Sequence, residues 1–255
     1  MQAKKKYGQN FLINQNIINE ITNLINPNEN DLLIEIGPGQ GALTKYLAQK
    51  KSKLICIEID TDMHAYLDKF ENENCHIIYD DILSTNLKDI TINFDKIFVI
   101  GNLPYYITSP IIEYLINNLK AEKMIFMVQK EVANRYCAEI NTKDYGYFTL
   151  YLRYFYNVKK EIFVSKDNFR PIPKVDSMVI SLTKRNDTPS VSKELYFNFL
   201  KEAFSHKRKT LKNNIKSYDF NKVKEVLNKY NLSDNVRAEN IKENVYVDIV
   251  NNLDN

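Results

Sequence analysis

Residues 31–41 read Asp-Leu-Leu-Ile-Glu-Ile-Gly-Pro-Gly-Gln-Gly, and this stretch decides the fold. The apolar run before the first glycine predicts a buried β-strand, and the residues from Ala42 to about Lys50 predict a helix. A strand that feeds a glycine-rich turn and a helix is typical of the opening of a Rossmann-like, nucleotide-binding sheet. We therefore predict an α/β fold built on a parallel sheet.

The spacing of the glycines narrows the class of cofactor. The turn has the pattern G-x-G-x-G instead of the dinucleotide pattern G-x-G-x-x-G, and no Lys-Ser or Lys-Thr pair follows it. The pattern leans away from NAD and nucleoside triphosphates, and towards a cofactor whose contact with the turn is not a pyrophosphate. We expect Gly37 and Gly39 to lie against it. Glu35, at the end of the strand, would place a carboxylate near a cationic or amino group.

The second predicted strand, residues 53–57, ends in Glu58-Ile59-Asp60. An acid at this strand end, roughly 20 residues beyond the glycine turn, can accept both hydroxyls of a ribose. The glycine turn before it favours this role for Glu58 over helix capping or a solvated strand end.

The third predicted strand, residues 75–79, is followed by Asp80-Asp81-Ile82-Leu83. A carboxylate here can accept the amino group of an adenine ring, with Ile59 and Ile82 as apolar walls. The register with Ile82 favours Asp81 over Asp80 for this contact. Helix capping is the alternative.

The fourth predicted strand, residues 97–100, leads through Gly101 into Asn102-Leu103-Pro104-Tyr105. Ligands of open α/β sheets bind at the carboxyl ends of the strands. A planar amine could donate hydrogen bonds to the Asn102 side chain and to a nearby backbone carbonyl while the Tyr105 ring covers its face. This arrangement suits methyl transfer to an amino group of a nucleobase. A strand-ending turn is the alternative, because Asn and Pro are common in turns.

Two features of the second half of the chain stand out. The loop Phe-Arg-Pro-Ile-Pro-Lys-Val-Asp-Ser, residues 169–177, contains two prolines that we expect to stiffen it and to project Phe169 outwards; a polyproline-type linker is the alternative. Residues 206–216 carry five Lys or Arg and no acid. We expect them to form a basic helix that contacts a phosphate backbone; a solvated face is the alternative. The four cations proposed for this contact are Lys207, Arg208, Lys209 and Lys212.

Composition excludes several classes. With 44% apolar and 26% charged residues over 255 positions the chain is typical of globular proteins, and a net charge of +3 is too small by itself to indicate nucleic-acid binding. No apolar run approaches the ~20 residues of a membrane span. The three cysteines have no metal-type spacing, so we expect buried thiols, no metal and a cytoplasmic location.

A shift in composition predicts two domains. The first spans residues 1–187 and includes an N-terminal arm at 1–13, and the second, at 188–255, is helical.

The three acidic or glycine-rich strand ends together describe S-adenosylmethionine better than a dinucleotide. At this point the chain resembles the KsgA-type small-subunit ribosomal RNA adenine dimethyltransferases along nearly its whole length. The motifs that carry the resemblance are Tyr-Gly-Gln-Asn-Phe-Leu (7–12), Glu-Ile-Gly-Pro-Gly-x-Gly-Ala-Leu-Thr (35–44), Asn-Leu-Pro-Tyr (102–105), Phe-x-Pro-x-Pro-Lys-Val-Asp-Ser (169–177), Ala-Phe-Ser-His-Lys-Arg-Lys-Thr-Leu (203–211) and Arg-Ala-Glu-Asn (237–240).

The resemblance implies a Rossmann-like S-adenosylmethionine-dependent methyltransferase domain with a smaller helical domain. It implies that two adjacent adenines in a hairpin loop of 16S ribosomal RNA, in the immature small subunit, are dimethylated at N6. We expect the protein to act as a monomer. Asn102 and the carbonyl of Leu103 or Pro104 would hold the amine, and Tyr105 and Phe169 would sandwich the base. The arm residues Gln9, Asn10 and Leu12 would close over the cofactor.

Three alternatives stay open at this stage. The sister family of large-subunit resistance methyltransferases shares four of the six motifs more loosely, but is not expected to carry the Lys-Arg-Lys-Thr-Leu stretch. The chain could act chiefly as a small-subunit assembly factor. The third alternative is a DNA adenine methyltransferase, but the sequence shows no separate target-recognition domain that would support it.

Overall fold

The described residues contain a seven-stranded sheet, whose strands, numbered along the chain with the bounds given below, have the order β4-β3-β2-β5-β6-β9-β7. The structure is a computed structural model that describes residues 9–254; residues 1–8 of the predicted N-terminal arm lie outside the described residues. β2 pairs in parallel with β3 and β5, β3 with β4, and β5 with β6, whereas β9 runs antiparallel to β6. This confirms the predicted α/β class. The strands are β1 (Phe11–Leu12), β2 (Leu32–Ile36), β3 (Lys53–Ile57), β4 (Cys75–Ile78), β5 (Ile97–Asn102), β6 (Lys123–Gln129), β7 (Tyr156–Val164), β8 (Phe169–Arg170) and β9 (Ser177–Lys184).

The register of the parallel strands brings the predicted strand ends together. Ile36, the last residue of β2, pairs with Ile57 on one side and Gly101 on the other. β2, β3 and β5 therefore end at the same edge of the sheet, and Asn102 pairs with Met127 of β6 beside them. The close approach of β2 and β5 requires a glycine at 101, because a Cβ there would lie 2.7 Å from the Ile36 carbonyl oxygen.

Helices cover the sheet and build the carboxyl-terminal region. The α-helices are α1 (Gln15–Asn23), α2 (Thr44–Leu47), α3 (His64–Leu67), α4 (Leu87–Thr91), α5 (Thr108–Asn118), α6 (Lys130–Tyr136), α7 (Tyr147–Phe155), α8 (Lys193–Ala203), α9 (Leu211–Asn214), α10 (Phe220–Lys229) and α11 (Glu243–Asp254). α5 begins at Thr108, whose hydroxyl donates to the Pro104 carbonyl at 3.0 Å. Pro110 fits inside the first turn, where backbone N–H groups have no partner within the helix.

A short ribbon joins the end of the arm to the proline loop. β1 pairs antiparallel with β8, so that Leu12 lies opposite Phe169. The prediction that Phe169 projects outwards is wrong in this structure: its ring is 0% exposed and belongs to the apolar core together with Leu12. The ribbon explains the difference, since its pairing places the alternate side chains of both strands against that core.

The chain divides into two compact units. The first contains residues 9–133 and 157–184 and holds the sheet; the second contains residues 134–156 and 185–254 and is largely helical. Residues 134–156, which the sequence prediction assigned to the first domain, belong to the second unit because rings of α7 pack on α8. Tyr151 lies 5.1 Å from Phe197, and Tyr154 lies 5.4 Å from Tyr196, between ring centroids. The functional roles of the two predicted domains stay predictions.

Among residues 9–254, no helix is both long enough and apolar enough to span a bilayer.

Asn14 caps α1, and this cap is the first testable feature. Its side-chain oxygen accepts from the backbone N–H groups of Asn16 and Ile17 at 3.0 and 3.4 Å. Asn14→Ala should lower the free energy of unfolding by about 1 kcal/mol, because it leaves those donors unpaired. Asn16→Ala is the matched control within the exposed face of the helix, and it should leave stability unchanged or slightly raised, since Ala is the better helix former. Urea denaturation measures both; equal losses would contradict the assigned cap.

Candidate functional site

A cleft opens in the first unit at the edge where β2, β3 and β5 end. It encloses about 830 Å³, a volume that includes its open mouth. Twelve of the residues predicted from the sequence line it: Gln9, Asn10, Leu12, Glu35, Gly37, Gly39, Glu58, Ile59, Asn102, Leu103, Pro104 and Tyr105. The predicted residues Asp81, Ile82 and Phe169 lie outside this lining. The structure thus gathers most of the predicted site into one cavity.

Glu58 is held in place by the glycine turn. One carboxylate oxygen accepts from the Gly39 backbone N–H at 2.9 Å, and the other accepts from the Asp60 N–H at 2.9 Å. Burial raises the pKa of the Glu58 carboxyl, and these two backbone donors oppose that shift. Each carboxylate oxygen has a further lone pair, so the fixed group can still accept a pair of hydroxyls.

Glu35 lies at the base of the cleft and is 1% exposed. The Thr44 hydroxyl donates to its carboxylate at 2.7 Å, and the Cys56 thiol donates to the same oxygen at 3.5 Å. Burial raises the pKa of Glu35 to about 7, although the two hydrogen bonds pull it down. The group is therefore partly protonated near neutral pH, so the charge that it presents to the cleft depends on pH.

Asn102 reaches the cleft with its amide already oriented. Its side-chain Nδ2 donates to the backbone carbonyl of Asn10 at 3.1 Å. A carbonyl oxygen can only accept, so this contact requires the NH₂ group of the amide and turns Oδ1 the other way. The arm therefore fixes Asn102 with an acceptor available for a substrate amine.

The backbone that follows Asn102 offers a second acceptor. The Pro104 carbonyl already accepts from the Ile107 N–H at 3.2 Å and from the Thr108 hydroxyl at 3.0 Å, which engages both of its lone pairs. Of the two predicted carbonyls, Leu103 is therefore the better partner for a bound amine.

Tyr105 is anchored at its hydroxyl. Tyr105 Oη and Ser177 Oγ lie 2.8 Å apart, and Ser177 is fully buried at the start of β9. Burial raises the pKa of the Tyr105 phenol, and the bond to Ser177 opposes the shift. The ring is thus held at its hydroxyl as well as through the backbone, and Tyr105 lines the cleft.

The adjacent acids after β4 differ in their availability. Asp80 accepts from the Asp81 N–H and from the Ser84 hydroxyl with Oδ1, and from the Thr85 hydroxyl with Oδ2, so it caps the following turn. Asp81 accepts from the Leu83 N–H with Oδ1. Both carboxylate oxygens of Asp80 thus accept hydrogen bonds, whereas among the described residues Oδ2 of Asp81 accepts none and can accept one from a ligand.

The basic stretch in the second unit is not the helix that the sequence predicts. Lys207, Arg208 and Lys209 lie in an exposed turn, and only Leu211–Asn214 is helical. Thr210 caps this short helix by accepting from the Asn213 N–H, so the chain cannot continue as one helix through 206–216. Lys207 Nζ donates to the Lys143 carbonyl at 3.1 Å, and Lys212 lies over the Phe220 ring.

Several residues of the site were missed by sequence reasoning. Phe11 approaches Gly39 so closely that a Cβ there would lie 3.0 Å from the ring, and Met127 lines the cleft from β6. Thr44 and Ser177 orient Glu35 and Tyr105. Phe11, Thr44 and Ser177 stand inside the quoted motifs, which could have flagged them; nothing in the sequence singles out Met127.

Within residues 9–254, no group of three or more His, Cys, Asp or Glu side chains is arranged to hold a metal ion.

The raised pKa of Glu35 predicts a pH dependence of stability. The folded protein keeps this proton up to about pH 7, whereas the ordinary value is 4.5. Because the folded state binds more protons in this window, the free energy of unfolding should fall by roughly 3 kcal/mol as pH rises across it. Glu35→Gln should remove this pH dependence, so the free energy of unfolding of the variant should rise relative to that of the parent protein between pH 5 and pH 8.

Urea denaturation at intervals from pH 5 to pH 8 measures this effect. Glu131→Gln, at an exposed position of α6, is the control and should leave the pH dependence intact. Parallel curves for the parent protein and Glu35→Gln would contradict the buried-proton assignment.

Comparison with known proteins gives the family. The family model described as ribosomal RNA adenine dimethylase matches residues 1–255. The chain is 42% identical over 267 residues to the ribosomal RNA small subunit methyltransferase A of Mycoplasma mycoides, covering 98% of this chain and 97% of that protein. It is 40% identical over 256 residues to the protein of the same name from Fusobacterium nucleatum, covering 97% and 96%.

A solved structure agrees with these relatives. The crystal structure of a dimethyladenosine transferase from Plasmodium falciparum superposes with a TM-score of 0.80 at 27% identity, covering 94% of this chain and 95% of that one. The resemblance inferred from the six motifs is confirmed, and the chain belongs to the ribosomal RNA adenine dimethylase family.

Proposed function

We propose that this protein transfers methyl groups from S-adenosylmethionine to the exocyclic N6 of two adjacent adenines in small-subunit (16S) ribosomal RNA, giving N6,N6-dimethyladenosine during ribosome assembly. The observation that carries the proposal is the oriented Asn102 amide in the same cleft as the glycine turn and Glu58. Relatives named for small-subunit methylation support the choice of substrate. Action in the cytoplasm and as a monomer stays a prediction.

The cleft residues fit the cofactor. Glu58, fixed by two backbone donors, would accept the ribose hydroxyls, with Ile59 against the adenine ring. Gly37 and Gly39 would let the backbone approach, and Gln9, Asn10 and Leu12 would cover the ligand. We further propose Asp81 and Ile82 for the adenine, which requires the ligand to extend beyond the cleft lining. When bound, S-adenosylmethionine supplies a methyl group on a cationic sulfur.

The target amine needs orientation more than activation. The N6 lone pair of adenine is delocalised into the ring, which makes this nitrogen a weak nucleophile. Hydrogen bonds from the amine to Asn102 Oδ1 and the Leu103 carbonyl would favour a pyramidal nitrogen whose lone pair points at the methyl group. Catalysis would then come mainly from positioning, with no covalent enzyme intermediate.

The base must leave its stack to reach this cleft. Tyr105, anchored on Ser177, would cover one face of the ring. Phe169 can cover the other face only after it leaves the core, which requires β1 and β8 to separate. The role proposed for Tyr105 fits the structure as described, whereas the role proposed for Phe169 requires the ribbon to open.

The decisive experiment measures transfer of labelled methyl from S-adenosylmethionine to immature small subunits, large-subunit RNA and duplex DNA, with nucleoside analysis. Dimethyladenosine in the small subunit alone is expected. Label in large-subunit RNA would move the chain to the resistance methyltransferases, and label in DNA would make it a DNA enzyme. No transfer with tight subunit binding would leave an assembly factor.

Asn102→Ala tests the proposed amine acceptor. It should lower methyl transfer by about a hundredfold or more, because the amine loses its positioning partner, while subunit binding stays nearly intact. Asn16→Ala, exposed on α1, is the control and should keep full activity. Retained activity in Asn102→Ala would refute the assigned role.

The exposed basic turn of the second unit is proposed to bind ribosomal RNA backbone. Replacing Lys207, Arg208 and Lys209 by Gln should weaken subunit binding and reduce the slope of log affinity against log salt by about two to three. Lys201, Lys229 and Lys242, exposed in the same unit, provide a charge-matched control triple. Filter binding from low to high salt measures the slopes. An unchanged slope in the first triple would exclude this turn from the interface.

A further inference from the structure

We propose that Lys130 and Phe163 form a second nucleotide subsite, which takes an unpaired ribosomal RNA nucleotide next to the target adenine. The inference rests on the proposed function and extends its site. Neither residue lines the cleft described above, and neither belongs to a motif that identified the family.

Lys130 lies at the same edge of the sheet as Asn102. β5 and β6 are parallel, and Asn102 pairs with Met127, three residues before Lys130. Lys130 begins α6 directly after the last residue of β6. A nucleotide that leaves the cleft along this edge therefore meets Lys130.

Asp176 ties this position to the cleft. Its carbonyl accepts from the Lys130 N–H at 3.0 Å, and its carboxylate accepts from the Lys166 N–H at 3.1 Å. The next residue is Ser177, which anchors Tyr105. Tyr105, which is proposed to cover the target base, is thus connected through Ser177 and Asp176 to the backbone of Lys130 and Lys166.

Phe163 supplies an exposed ring at this place. It lies one residue before the end of β7, the outermost strand of the sheet on this side, and it is 50% exposed. The Lys130 ammonium lies 5.1 Å from the centre of the ring. An aromatic face for a base and an ammonium for a phosphate are the two parts of a single-stranded nucleic-acid platform.

Two ammonium groups beside the ring can bind an anion. Lys130 and Lys166 are exposed, and no carboxylate within residues 9–254 pairs with either ammonium. Most of the neighbouring acids are engaged by donors of the chain. Asp176 accepts from a backbone N–H, Asp167 accepts from the Ser165 hydroxyl, Glu161 accepts from the Ser181 hydroxyl, and Glu131 is exposed beside Lys130. Both ammonium groups are therefore free to bind a phosphate, and three of the four acids are already held by donors of the chain.

An RNA nucleotide fits this chemistry better than a protein segment. Any of the four bases can stack on the Phe163 ring, and the phosphate of the same nucleotide can then contact the Lys130 ammonium. A substrate with two adjacent target adenines always brings a neighbouring nucleotide to the edge of the cleft. While one adenine occupies the cleft, the subsite holds its neighbour or the nucleotide beyond it.

Photocrosslinking tests the placement directly. The full chain, with p-benzoylphenylalanine in place of Phe163, is irradiated with unmethylated small subunits, and the crosslinked nucleotide is mapped. The expected crosslink lies at the nucleotide beside a methylated adenine. The same photoreactive residue in place of Ile92, which is 79% exposed in the same unit, is the control and should not crosslink there. Crosslinks from position 163 that map elsewhere, or none at all, would overturn the subsite.

Kinetics test its contribution. Phe163→Ser and Lys130→Gln should each raise the KM for small subunits about tenfold, with a smaller change in kcat. Lys69→Gln is the matched control, because Lys69 lies 5.0 Å over the Phe70 ring near the other end of the sheet, and its KM should not change. Unchanged KM values in an active enzyme would refute the subsite alone, whereas a parent protein without methyl transfer would refute the proposed function.

Discussion

The in-register parallel pairing of β2 with β3 and β5 is the constraint on which the rest of the structure depends. It ends three strands at one edge, so that the glycine turn, Glu58 and Asn102 face a common cleft although they are far apart in the sequence. Gly101 permits this register, since a side chain there would collide with the Ile36 carbonyl. A shift of one residue would reverse the side chains of a strand and disperse the site.

The acidic groups of the cleft are governed by burial more than by partners of opposite charge. Glu35 and Glu58 both have a raised pKa because they are withdrawn from water, and the hydrogen bonds that they receive offset only part of this effect. A cleft of this kind attracts a cationic ligand most strongly at a pH where the carboxyls have ionised. Asn102, a neutral amide, holds its place without adding a third charge.

Local patterns in the sequence were sufficient for the sheet and for most of the cleft. Strand ends followed by Gly, Glu or Asn can be read from the chain because parallel strands share an edge. The burial of Phe169 could not be predicted locally, because it depends on pairing with Leu12, more than 150 residues earlier. Composition predicts a helix for residues 206–216, but the Thr210 cap starts a new, short helix within this stretch. The place of residues 134–156 depends on ring packing between α7 and α8, which no local pattern encodes.

The β1–β8 ribbon has a consequence for the order of events in a catalytic cycle. Residues 9–12 make three contacts in succession. The Gln9 amide donates to the Asp60 carboxylate, the Asn10 carbonyl accepts from Asn102, and Leu12 pairs with Phe169. Opening the ribbon to free the Phe169 ring would therefore also loosen the contact that orients the Asn102 amide. For both residues to act on one bound adenine, the substrate must replace the contact with Asn10 as the ribbon opens.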